Sequence, residues 1–158
     1  MISLPTSPPR NGEPRPIPIL VIVFELIVQA EFAAAHAIRM GGRLEPLHGH
    51  NWRVRVTVAA DRLDDDGLVC DFHLLQSHVH DAVGPLDNST LNDIPPFDRV
   101  NPTAERVAQH IADRLSESLA GALPAGARVA AVEVTEAPGC AAFYRPGPNT
   151  ATRGAAPR

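Results

Sequence analysis

From residue 20 the chain alternates. Leu20, Ile22, Phe24, Leu26, Val28 and Phe32 hold even positions, and Glu25, Gln29 and Glu31 fall between them. Side chains two apart on a strand share a face, so this period predicts a strand over residues 19–36, with His36 continuing the apolar row. Such a length exceeds an ordinary strand and predicts a bulge or bend within it. A second alternation sets Trp52, Val54, Val56 and Val58 against Arg53, Arg55 and Thr57, predicting a strand over residues 51–60. His48 and His50 stand at its head and project together. Gly41, Gly42 and Pro46 make residues 39–47 a loop between the two strands.

The period then changes. Asp71 is a suitable N-cap, and Phe72, Leu75, Val79 and Val83 form one buried stripe of a helix that Gly84 and Pro85 end. His73, His78 and His80 fall off that stripe and are expected to face solvent. Residues 86–93 carry no period and are rich in Asp and Asn, which leaves plain turn chemistry and a site both open. Asn101 as N-cap and Pro102 at the first helical position predict a second helix, with Val107, Ile111, Leu115 and Leu119 on its buried face. A third strand ends at Glu136, with Val129 and Ala131 on one face and Val132 and Val134 near the other. A short strand over residues 141–145 follows. The order is ββααββ, an α+β domain over residues 17–146 with a mainly antiparallel sheet and two helices on one face. Proline-rich residues 1–16 and residues 147–158 are expected to be disordered tails.

Composition narrows the function classes. A net charge of −4 with no basic run argues against nucleic acid as a partner. The apolar stretch over residues 17–28 is interrupted by Glu25 and too short to span a bilayer, so no membrane association is expected. The two cysteines, Cys70 and Cys140, offer no disulfide framework and point to a reducing, cytoplasmic setting. Both are expected to be structural and buried, although a thiolate at Cys140, close to Glu136, is conceivable.

The chemistry lies in the histidines. If the first two strands pair as a hairpin, His36, His48 and His50 converge, and three histidines with an open position are the ligand set of a catalytic zinc. A His-x-His pair at a strand end can equally be incidental. Periodicity leaves both readings open.

A set of motifs adds to this: Phe32-Ala33-Ala34-Ala35-His36, His48-Gly49-His50-Asn51, Val69-Cys70-Asp71-Phe72, Leu86-Asp87, Leu91-Asn92, Asn101-Pro102-Thr103-Ala104-Glu105 and Val134-Thr135-Glu136. In order and spacing it resembles the 6-pyruvoyl-tetrahydropterin synthase / 6-carboxy-tetrahydropterin synthase family along residues 20–146. The resemblance implies the tunnelling fold, with subunits joining sheets into barrels, commonly a homohexamer made of two trimers. It implies Zn2+ on His36, His48 and His50, and 7,8-dihydroneopterin triphosphate as the small-molecule substrate. Glu136 would hold the pterin ring, with Thr103 and Glu105 as further substrate-binding residues, and Asp87 and Glu136 itself would be catalytic.

Two positions depart from the family. Leu44 stands where its members usually carry a cysteine base, and Asn88 where they usually carry a relay histidine. Asparagine orients by hydrogen bonding but does not shuttle protons near neutral pH. Glu45, in Glu-x-x-His-Gly-His, instead resembles a subgroup that makes 6-hydroxymethyl-7,8-dihydropterin for folate synthesis, which makes Glu45 the candidate base. Its bland alternative is a solvated loop charge. The match is equally close to carboxy-pterin synthases of the queuosine pathway. The competing class is a non-catalytic pterin- or zinc-binding module that has lost its relay.

Overall fold

A computed structural model describes residues 23–147 of the chain. The expected tail over residues 1–16, all of the expected tail over residues 147–158 except Gly147, and the expected start of the first strand at residue 19 lie outside the described residues. The first strand, β1 (Phe24–His36), leads through a small hairpin, β2 (Arg39–Met40) and β3 (Arg43–Leu44), into β4 (His48–Ala60). β1 and β4 pair antiparallel over all 13 residues of each, from Phe24 opposite Ala60 to His36 opposite His48. No bulge interrupts this pairing over residues 24–36, the described part of the expected strand. A partner of equal length satisfies every ladder position, so the length itself demands none.

β5 (Ser89–Thr90), β6 (Arg128–Ala137) and β7 (Cys140–Tyr144) complete a sheet of order β5-β1-β4-β6-β7, in which only β1–β5 is a parallel pair. The irregularities fall on β6. Thr57 pairs with Ala131 but Val58 with Val129, so Ala130 is an extra residue. This one-residue insertion changes the strand's phase. Val129 therefore joins Val132 and Val134 on the buried face, and the expected pairing of Val129 with Ala131 does not hold.

Both helices, α1 (Phe72–Val83) and α2 (Ala104–Ser118), pack on one face of the sheet. Asp71 caps α1 by accepting from His73 N, and Leu75, Val79 and Val83 are buried as the stripe requires. Phe72 is not: periodicity assigns it the right face, but nothing among the described residues covers the first turn, and it is 52% exposed. The cap of α2 is Thr103, whose Oγ1 accepts from Arg106 N at 3.4 Å, not Asn101. Asn101 is drawn elsewhere. Its Oδ1 accepts from Arg39 N and its Nδ2 donates to Arg39 O, at 2.9 and 2.7 Å. The core joins Phe32, Trp52, Val54 and Val56 of the sheet to Leu75, Ile111 and Leu115 of the helices. Among the described residues no helix is long and apolar enough to cross a membrane.

Candidate metal centre and adjoining cavity

Strand register builds the centre. His36 lies opposite His48, His50 lies opposite Ala34, and all three side chains stand on the helix-covered face. Their ring centroids are 4.7, 4.9 and 5.2 Å apart. Trp52, two residues beyond His50 on the same face, closes the floor. Its ring meets His36 and His50 edge-on at 4.9 and 5.6 Å, and its Nε1 is anchored on Ala34 O.

The orientation of each ring is set by the backbone. The Nδ1 of His36, a fully buried residue, lies 2.8 Å from Pro102 O, and that of His48 lies 2.9 Å from Pro46 O. A carbonyl only accepts, so each Nδ1 carries the proton and each Nε2 presents a lone pair. Burial pushes the pKa of His50 down; Glu136 pulls the other way, and His36 and His48 add to the depression. The neutral, ligating form is therefore favoured.

Glu136 completes the group. Its Oε1 lies 3.2 Å from His36 Nε2 and 3.3 Å from His50 Nε2, and one potential ligand atom from each of the four residues lies within 4.8 Å of the others. Yet both Nε2 atoms are buried without a hydrogen-bond partner. Lone pairs facing a carboxylate oxygen repel unless a cation lies among them. Three neutral imidazoles and a carboxylate are a donor set that suits a divalent transition metal, zinc above all. The residues fit.

Glu136 also lines a cavity of about 420 Å³ with Thr103, Glu105, Ile38, Met40 and Cys140. That volume falls in the roughly 300–1,000 Å³ range of small-molecule sites. The structure thus brings together the three residues assigned to substrate, with two carboxylates against an apolar wall. Glu105's carboxyl is held below its ordinary range, first by its own backbone N–H and then by the Thr103 hydroxyl. Cys140 is exposed here, a correction to its expected burial, because it opens β7 immediately after the turn at Gly139. Cys70 is buried as expected, and burial pushes its thiol pKa up.

The remaining candidates hold backbone. Glu45 Oε1 accepts from Ile38 N at 2.9 Å while Glu45 N donates to Ile38 O, and the same oxygen lies 3.9 Å from His48 Nδ1. Asn92 makes the equivalent double contact with Ala37, so residues 37–39 are each clamped by a side chain. Asp87 is not among the cluster. Its Oδ1 accepts from Ala33 N and its Oδ2 from Asn88 Nδ2, tying the 86–93 segment to β1. Asn88 adopts a left-handed backbone, φ 53°, a conformation asparagine tolerates better than most residues. His73 and His80 are exposed and His78 is half-buried against Ser118.

The motif resemblance gave Glu136 to substrate binding and catalysis and missed its place among the histidines. The signal was present. Glu136 continues the even row of Val132 and Val134, which the register places on the histidine face.

The fold recurs in solved structures. A Caenorhabditis elegans 6-pyruvoyl tetrahydropterin synthase superposes with a TM-score of 0.67 at 18% identity, over 80% of this chain and 98% of the other. A Plasmodium vivax 6-pyruvoyltetrahydropterin synthase gives 0.65 at 24% identity, over 78% and 97%. Both carry the tunnelling fold that the motif resemblance implied. In sequence, the chain is 37% identical over 129 residues to 6-carboxy-5,6,7,8-tetrahydropterin synthase of Bacillus subtilis, covering 78% of this chain and 86% of that one. It is 36% identical over 96 residues to the dihydroneopterin monophosphate aldolase of Pyrococcus furiosus, covering 61% and 78%. The 6-pyruvoyl tetrahydropterin synthase family model matches residues 25–147, from the start of β1 to just past β7 and so across the whole centre, and the chain belongs to that family.

Proposed function

We propose that this protein is a zinc-dependent lyase acting on 7,8-dihydroneopterin triphosphate. The observation that carries the reading is the pair of buried, unpartnered Nε2 atoms beside a carboxylate that also lines a cavity of ligand size. His36, His48 and His50 would hold the zinc, which supplies Lewis-acid polarisation of oxygens on the substrate side chain. Glu136 and Glu105 accept the adjacent N–H donors of the pterin ring, which a carboxylate can take in pairs. Ile38 and Met40 cover the flat face of the ring.

Glu45 is the base. One of its oxygens is committed to Ile38 N, and the other remains to take a proton from a side-chain hydroxyl. Loss of that proton lets the adjoining carbon–carbon bond break: the carbon of the deprotonated carbinol leaves as an aldehyde carrying the phosphates, the electron pair passes into the dihydropterin ring, and the carbon left on the ring then takes up a proton. Glu45 favours 6-hydroxymethyl-7,8-dihydropterin as product, in keeping with the similarity to the Pyrococcus furiosus aldolase. The similarity to the Bacillus subtilis enzyme supports 6-carboxytetrahydropterin. Product analysis after incubating zinc-loaded protein with dihydroneopterin triphosphate decides between them. Protein that binds zinc and pterin but releases no product is instead a binding module, the reading that Leu44 and Asn88 favour.

The lyase is expected to assemble as a homo-oligomer, a hexamer of two trimers. Among the described residues β5 covers only Ala34 and Ala35 on the outer edge of β1, and β7 leaves the opposite edge open. Phe24, Phe72 and Phe143 are exposed as well. Open edges of this kind pair with something. Sedimentation at micromolar concentration is expected to give a species well above 16.9 kDa, and a persistent monomer would contradict the assembly.

A further inference from the structure

Glu136 is the extra residue of a bulge. Thr135 pairs with Ala141 and Ala137 with Cys140, so Glu136 has no partner of its own on β7. Bulges recur beside functional sites, and the unpaired residue of this one stands on the histidine face. Ligand atoms around tetrahedral zinc, at bonds of about 2.0–2.1 Å, stand roughly 3.3–3.4 Å apart. Glu136 Oε1 lies 3.2 and 3.3 Å from the His36 and His50 Nε2 atoms. A direct hydrogen bond is not the explanation, since neither Nε2 has a hydrogen-bond partner. Those two spacings are those of neighbouring vertices about one cation, within a group whose ligand atoms all lie within 4.8 Å of one another.

The same carboxylate lines the cavity shared by Thr103 and Glu105. An oxygen shared among ligand lone pairs is poorly placed to accept N–H donors from a molecule in that cavity, so filling the cavity draws it away. We propose that Glu136 is a fourth protein ligand of the metal centre in the ligand-free protein, and that an N–H-rich heterocycle entering the cavity withdraws it. Metal access is thereby coupled to occupancy of the cavity. Only the identity of that heterocycle, a pterin, rests on the proposed function.

Metal affinity and the visible spectrum of the cobalt-substituted full chain test both halves. Glu136→Ala is expected to bind zinc at least about tenfold more weakly in competition with a chelator, the lower end of what losing even an outer partner of a ligand costs. Its cobalt bands should shift, and Glu136→Gln should fall between it and wild type. Neopterin, its binding followed by its own fluorescence, should move the wild-type cobalt spectrum towards that of Glu136→Ala. If both variants keep wild-type zinc affinity and an unchanged cobalt spectrum, Glu136 is not a ligand and the proposal is overturned. If saturating neopterin leaves the wild-type spectrum unmoved, the withdrawal is overturned. Protein whose zinc affinity depends on Glu136 but which never binds neopterin upholds the ligand half, and it is the pterin reading that fails.

Discussion

His48→Ala is expected to abolish turnover and to reduce zinc from about one per chain to a small fraction of that. His48 is the most informative of the three histidines to remove. His36 is fully buried and holds Pro102 through Nδ1, so its loss would disturb the lead into α2 as well as the centre. His48 has a side chain 40% exposed and a single short-range hydrogen bond, to Pro46 O, so alanine there removes a ligand at little cost to the fold. Metal content by emission spectroscopy, with circular dichroism as a fold control, reads the result. A His36→Ala, His48→Ala, His50→Ala triple variant that stays folded and keeps stoichiometric zinc would show that the metal is bound elsewhere.

Glu45→Gln is expected to lower turnover by roughly 10²–10⁴-fold, the usual worth of general base catalysis. Zinc content and pterin affinity should stay near wild type. The substitution is selective because an amide oxygen can still accept from Ile38 N, keeping the loop registered, while the basic lone pair is lost. Glu45→Ala would lose both, and the difference between the two variants measures the structural share. If Glu45→Gln turns over at the wild-type rate, the base lies elsewhere. Cys140, an exposed thiol on the cavity wall, and Asp87 are the next to test.

The two histidine strands were legible because alternation is local. Residues two apart on a strand share a face whatever the rest of the chain does, so His36, His48 and His50 needed only a hairpin to meet. The Asp71 cap and the Leu75, Val79 and Val83 stripe were legible for the same reason. Phe72 was not, since a stripe names a face while burial requires something opposite it. Asn101 reads locally as a cap, but its bonds run to Arg39, 62 residues away, and Thr103 takes the cap instead. The two-residue parallel strand β5 has no alternation to detect and forms because Asp87 and Asn88 bind the backbone of Ala33.

The sequence by itself determined the strand faces, the helix stripes, the three converging histidines and, through its motifs, the family. Each of these depends on residues near one another in the chain or on a pattern carried whole. Only the tertiary structure decided that Val129 turns inward, that Cys140 faces the cavity and that the Glu136 carboxylate, on a face its sequence row already marks, comes within 3.3 Å of two imidazoles. A one-residue bulge shifts a strand's phase without leaving a mark in composition. The position of a carboxylate oxygen among imidazoles is likewise fixed by the register of three strands that only folding brings together.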